Sequence, residues 1–242
     1  MYLTPEWDAP PTIGALQTTR AGGFSAGPWS SMNLGLHCGD NLETVDRNRR
    51  LLNERLPGQP AWLQQVHGSA VLDWRGASEG QPGDAVVARS AGQVCAILTA
   101  DCLPVLLCDR SGTTVAAVHA GWRGLVKGVI GKAVRALEAV PGQIMAWLGP
   151  SISAAHYEVG ADLRDRFLAR DPIYREFFRA SGQRWRADLG GIARFQLHQA
   201  GVPAVFGGGF CTFAEPERFY SYRRDGVTGR MASLVWIRGS TA

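Results

Sequence analysis

The sequence predicts a mixed α/β fold, a layered sandwich of mixed sheets covered by helices, on three observations. Short apolar runs suited to buried strands follow one another closely, and stretches with apolar residues at three- and four-residue steps alternate with them. Gly and Pro clusters at "AGGFSAGPWS", "LPGQP", "GASEGQPGD" and "FGGGF" punctuate the chain evenly, so none stands out as a linker. With 242 residues and 45% hydrophobic content the chain can bury a substantial core, and one domain over 1–242 is expected.

Taken in order, "IGALQTTR" reads as a strand and "DNLETVDRNRRLLNERL" as a helix. Asp40 followed by Glu43 three residues later gives that helix a capping-box start. The strand candidates "AWLQQV", "AVLDW", "DAVVAR", "VCAILTA", "PVLLCD" and "TVAAVHA" come next. From Leu125, the residues Val126, Val129, Ile130, Ala133, Val134, Leu137 and Val140 mark one amphipathic helix, in spite of Gly128 and Gly131. Each glycine inside a helix costs about 1 kcal/mol. "QIMAWLG" is a further buried strand, "VGADLRDRFLAR" and "ADLGGIARFQLHQAG" are helices, and "PAVFGG" and "ASLVWIR" are late strands.

Composition excludes several classes. Net charge is +4, with Lys and Arg scattered, so a nucleic-acid partner is not expected and an anionic small molecule suits the balance as well. No apolar run approaches the roughly 18 residues of a membrane span, and the N-terminus lacks a basic region followed by an apolar one. A cytoplasmic protein, monomeric or weakly homodimeric, is expected. Five cysteines without CxxC spacing argue against a disulfide framework and against a four-Cys zinc site.

The strand-to-helix junction "TTVAAVHAGWRG" carries the sharpest chemical signal. It sets His119 near the carboxyl end of a strand and Arg123 at a helix N-terminus, where α/β proteins gather anionic ligands. The bland alternative for His119 is an imidazole held by a carbonyl in a tight turn. Cys102 follows Asp101 and opens a strand, and is a metal ligand or a nucleophile. His67 in "WLQQVHG" ends a strand before a glycine, as His119 nearly does. One Cys and two His would make a three-ligand site with the fourth position open, the catalytic form for zinc. His37 and His156 read as loop residues and His198 as surface. Tyr220, Tyr222, Arg223 and Arg224 in "SYRRDGVTGR" form either an aromatic and cationic clamp or a solvated loop.

The motifs "TRAGGFS", "MNLGLHCGD", "NRRLL", "WLQQVHG", "TADCLPVLL", "VHAGWRG", "GPSISAAHYEVG", "CTF" and "FYSYRRDG" together closely resemble the YfiH family, from about Thr19 to Trp236. Its members carry the names laccase-like polyphenol oxidoreductase, purine nucleoside phosphorylase and peptidoglycan editing factor. The resemblance implies a metal held by His67, Cys102 and His119, zinc in the cell with copper as a possible occupant. It implies phosphorolysis of purine nucleosides, methylthioadenosine included, and deamination of adenosine. Asp101, Cys102 and Arg123 are then the catalytic candidates, with Asp101 orienting a ligand or shuttling a proton. Arg20, Asn33, Gln65 and Arg223 are the candidates for binding nucleoside and phosphate. The alternative is hydrolysis that edits a misincorporated amino acid out of a nucleotide-linked muropeptide precursor. Five histidines are too few for the mononuclear and trinuclear coppers of a multicopper oxidase, so a single ion is expected.

Overall fold

The computed structural model describes residues 2–77 and 80–239; part of the "GASEGQPGD" loop and the last three residues lie outside it. The strands are β1 (Tyr2–Leu3), β2 (Ile13–Thr18), β3 (Pro60–Ala61), β4 (Val71–Asp73), β5 (Ala85–Ala88), β6 (Val94–Thr99) and β7 (Leu103–Asp109). They continue with β8 (Val115–Ala120), β9 (Ile144–Leu148), β10 (Glu158–Val159), β11 (Phe178–Ser181), β12 (Arg184–Ala187), β13 (Ala204–Gly207) and β14 (Met231–Ile237). The helices are α1 (Leu42–Asn53), α2 (Trp122–Val126), α3 (Val129–Ala136), α4 (Ala161–Leu168), α5 (Leu189–Gln199) and α6 (Tyr222–Asp225). No helix among the described residues is long and apolar enough to cross a membrane.

Two large sheets lie face to face. One has the order β1-β2-β14-β6-β3 and the other β13-β9-β7-β8-β5-β4, each mostly antiparallel with parallel pairs at β3–β6, β13–β9 and β4–β5. Alternation along the strands explains the layering. In β6, Cys95 and Ile97 face the second sheet and pack with Val86, Leu106, Ala117 and Trp147, while Val94, Ala96 and Leu98 face the opposite way, toward Leu34 and Leu52. In β7, Leu106 and Cys108 enter the space between the sheets, and Val105 and Leu107 meet Val129, Ala133 and Leu197 of α3 and α5. A strand buried on both faces carries no polar alternation, which is why β6, β7 and β8 read as continuous apolar runs. The result is helix, sheet, sheet, helix, the layered α/β sandwich that the sequence predicts.

Three local expectations are corrected, and one sheet is added. The cap of α1 is Asn41, whose side-chain oxygen accepts the Thr44 amide, and Asp40 instead accepts from the Asn41 amide. The helix expected from Leu125 is two helices, divided where Gly128 adopts φ +73°. Of "AWLQQV" only Ala61 pairs as a strand, in β3, and the rest forms only a bridge from Gln64 to Pro82, because the Gln65 side chain pairs with the Leu98 backbone in place of a ladder. A third sheet, β10-β12-β11, comes from polar segments, "FRAS" and "RWRA", that give no strand signal.

Candidate functional site

The register of the second sheet assembles the site. β7 and β8 run antiparallel with Leu103 opposite Ala120, so Cys102, just before β7, arrives beside Gly121, just after β8. β5 and β8 pair with Ala85 opposite Val118, which brings Asp84 against His119. His67 enters from the loop before β4 with φ +55°, an uncommon conformation outside glycine. Its backbone is held there by Asp84. Oδ1 of Asp84 accepts the His67 amide at 3.0 Å and the His119 Nδ1–H at 2.7 Å, and Oδ2 accepts the Gly68 amide at 2.6 Å.

One fully buried carboxylate therefore fixes the imidazole of His119 and the backbone that carries His67. Holding the proton of His119 on Nδ1 turns Nε2 toward Cys102, the arrangement by which a carboxylate orients a histidine ligand. Burial pushes the Asp84 carboxyl up, but the bonds from His119 and the Gly68 amide outweigh it and hold the group below its ordinary range. For Cys102 burial acts upward as well, yet the neighbouring imidazoles of His119 and His67 bring the thiol down to about 6. His119 moves the other way: burial lowers it, and Cys102 and Asp84 raise it to about 9. The two shifts, each partner favouring the charge of the other, both favour a thiolate facing an imidazolium, the ordinary way to activate a cysteine.

Donor atoms of His67, Cys102 and His119 all lie within 4.8 Å of one another, with Cys102 Sγ 4.0 Å from His67 Nε2. The two rings meet edge to face at 4.8 Å. A Cβ built on Gly121 would stand 3.0 Å from Cys102 Sγ and 3.4 Å from His119 Nε2, so glycine keeps the space between the donors clear. One thiolate and two imidazole nitrogens around such a space fit a first-row transition metal ion.

The donors open onto a cavity of about 380 Å³ whose other walls include His37, Gln65, Leu98, Thr99, Tyr222 and Arg230. The Thr99 hydroxyl is buried without a hydrogen-bond partner among the described residues, in a residue only 2% exposed. Burial, then Arg230 and Arg49, lower the pKa of His37. On another side of Cys102 stands Tyr157, with the Arg223 guanidinium 5.1 Å from its ring centre. The Tyr157 hydroxyl feels Cys102, Arg223, Asp101 and Arg123 together, with burial as the largest influence, and is pushed up.

Several expected site residues have other tasks. Asp101, at φ +91°, has both carboxylate oxygens taken, by the Thr212 hydroxyl and the Arg223 backbone amide, each at 2.6 Å. It ties α6 to the start of β7, and the carboxylate that orients a histidine donor is Asp84. Asn33 is fully buried; its amide donates to Gly35 and Asp40 and its oxygen accepts from Gly35 and Arg230, leaving nothing for a substrate. Arg20 donates to the carbonyls of Ser30 and Pro216 and covers the Tyr220 ring, away from the cavity wall. Gln65 lines the cavity but both ends of its amide bind Leu98. Arg123 is exposed and stacks 4.5 Å over Trp122, and Arg223 donates to the Glu158 carbonyl. His37, in a 3-10 turn over Leu36–Cys38, and Arg230, just before β14, were missed in sequence because only the fold brings them to the cavity. Asp84 had a signal, an acid directly before a strand, much as Asp101 stands one residue further ahead of β7.

Residues 14–238 match the family described as multi-copper polyphenol oxidoreductase laccase. The chain is 47% identical over 238 residues to a Shigella flexneri protein named purine nucleoside phosphorylase YfiH, covering 97% of this chain and 98% of that one. The chain belongs to this laccase-like YfiH family. A Pseudomonas aeruginosa relative, purine nucleoside phosphorylase PA4543, is 50% identical over 240 residues, with 98% of each chain covered. The crystal structure of Neisseria meningitidis NMB0706 superposes with a TM-score of 0.96 at 47% identity, covering 98% and 99% of the two chains. YlmD from Geobacillus stearothermophilus gives 0.86 at 32% identity, covering 95% and 93%. The family description speaks of several coppers, whereas in this YfiH-family chain one group of three His, Cys or acidic donors converges among the described residues.

Proposed function

We propose that the chain is a purine nucleoside phosphorylase that holds one metal ion, zinc in the cell, through His67, Cys102 and His119. The observation that carries this reading is the three-donor group opening onto a nucleoside-sized cavity, in a chain half identical, over nearly its whole length, to proteins named for that activity. In the reaction the bond between ribose C1′ and the purine nitrogen breaks, its electron pair leaving with the base, and a phosphate oxygen bonds C1′. A proton ends on the base. Arg223 covers the Tyr157 ring and the Arg123 charge is felt at the same hydroxyl, so the two guanidinium groups, released from the Glu158 carbonyl and from Trp122, would hold and aim the phosphate dianion. Tyr222, 60% exposed at the cavity wall, would stack on the purine, and the unpartnered Thr99 hydroxyl would take a polar group of the nucleoside. Asp101 acts through Arg223, whose amide it holds. A bound metal ion supplies Lewis-acid polarisation. Methylthioadenosine phosphorolysis and adenosine deamination are further activities proposed for the same site.

The test is incubation of zinc-loaded protein with inosine, adenosine or methylthioadenosine, with and without phosphate, followed by chromatography and an ammonia assay beside a Cys102→Ala control. Free base that requires phosphate is the expected product, and ammonia from adenosine marks the deaminase activity. If no nucleoside reacts while a nucleotide-linked muropeptide is hydrolysed, the phosphorylase reading is wrong and the editing reaction takes its place.

A further inference from the structure

A second cavity, of about 400 Å³, lies on the helical side of the molecule between α2–α3 and α5. Its rim carries Lys127, Lys132, Arg135 and Arg170, and no Asp or Glu lines it. Arg135 and Arg170 make no side-chain hydrogen bond or ion pair among the described residues. Lys127 and Lys132 bind only neutral oxygens, the His67 carbonyl at 3.5 Å and the Ser69 hydroxyl at 2.6 Å. Four cations gathered without a counter-charge repel one another, and an anion relieves that repulsion. The floor is different in kind. It contains the buried Leu125 and Phe167 and the Tyr174 ring, with the Tyr174 hydroxyl accepting from Gln196.

We infer that this cavity binds a polyphosphate-bearing ligand of nucleotide size, its phosphates on the four cations and its organic part on the apolar floor. A volume of about 400 Å³ suits one such ligand. Phosphate offers charge-assisted hydrogen bonds to both Lys and Arg, the guanidinium groups adding two-point contacts.

The site is wired to the metal donors. Lys127 and Lys132 are the side chains that reach from α2–α3 to the loop carrying His67, and Gly124 of α2 is packed so closely on that loop that a Cβ there would come within 3.0 Å of the Gly68 carbonyl. A phosphate drawing the two lysines away takes their bonds from the His67–Ser69 segment. Ligand in the cavity then weakens metal binding, and metal weakens ligand binding by the same factor. This coupling, unlike the binding itself, rests on His67 being a metal ligand.

Calorimetric titration of the zinc-loaded protein with ADP and with pyrophosphate tests the proposal. ADP is expected to bind, and Arg135→Glu/Arg170→Glu to weaken it about tenfold or more without changing inosine phosphorolysis, while Arg230→Ala, at the other cavity, leaves ADP affinity unchanged. Pyrophosphate binding more weakly than ADP assigns the organic part to the floor; equal binding keeps the anion site and overturns the role of the floor. ADP affinity untouched by the charge reversals, or lost in Arg230→Ala, overturns the site. Zinc affinity, referred to free zinc after correction for the zinc that ADP itself chelates, is expected to fall about fivefold or more with ADP in the wild type and to stay constant in Arg135→Glu/Arg170→Glu; no change in the wild type, or an equal fall in the variant, overturns the coupling alone. Phosphorolysis is assayed without ADP, so its failure and the failure of this inference are separate results.

Discussion

Asp84 does at one residue what the candidate metal donors cannot do for themselves. Its two oxygens receive His119 Nδ1–H and the amides of His67 and Gly68, so its charge sets both the tautomer of one histidine and the backbone of the other. Asp84→Asn keeps the shape but removes the charge and offers an N–H where only acceptors fit. Zinc affinity is expected to fall about 10- to 100-fold, read by competition with a chromogenic chelator. An unchanged affinity would show that the donors are held by the surrounding fold alone. Gly121 is a second test of the same space, because its φ of −66° suits any residue and only the added Cβ matters. Gly121→Ala is expected to lose zinc at concentrations that saturate the wild type, with circular dichroism and the melting of the metal-free protein nearly unchanged. A substitution that retained zinc would mean that the donors converge elsewhere.

At the scale of elements, the two glycines of the expected long helix behave in opposite ways. Gly128 has φ +73° with open space around it, so its substitution meets strain without a clash, whereas Gly131 lies inside α3 and an added Cβ meets only Arg135 Nη1 at 3.5 Å. Gly128→Ala is expected to cost about 1 kcal/mol and Gly131→Ala to add about 0.5–1 kcal/mol, as midpoint shifts of opposite sign in urea unfolding. Periodicity identified the buried face over Val129, Ile130, Ala133 and Val134, because that depends on which residues are apolar, but it ran on to Val140, which lies beyond α3 and is 69% exposed. It could not say which glycine breaks the helix, since that depends on a backbone angle. The same limit runs through the rest of the molecule. β6 to β8 were legible because burial on both faces demands apolar residues throughout, and β11 and β12 were not, because their side chains are largely exposed. Strand ends pointed to His67, Cys102 and His119, but polar motif residues such as Asn33 looked free in sequence and are consumed by internal bonds.

Across the whole molecule, the three donors come from positions 67, 102 and 119, joined in space only by the second sheet, so the unfolded chain has no equivalent site. Metal bound to the folded state alone stabilises it by mass action, about 2.7 kcal/mol when free metal is 100 times its dissociation constant. For a chain of this length that corresponds to a rise in melting temperature of roughly 5–11 °C, which Cys102→Ala is expected to abolish. The rise depends on pH with a definite sign. Cys102, depressed to about 6, is already a thiolate at pH 7.5, but His119, raised to about 9, still carries the proton that a metal must displace. Near pH 7.5 binding therefore releases about one proton from this pair, and below pH 6 the Cys102 thiol must give up a second. Titrations in buffers of different ionisation enthalpy read that number directly, and the thermal gain at fixed zinc is expected to shrink faster per pH unit below 6 than above 7. A release independent of pH from 5 to 8 would mean that Cys102 and His119 do not titrate as a thiolate and imidazolium pair; whether Cys102 is a donor is read separately, from the zinc affinity of Cys102→Ala.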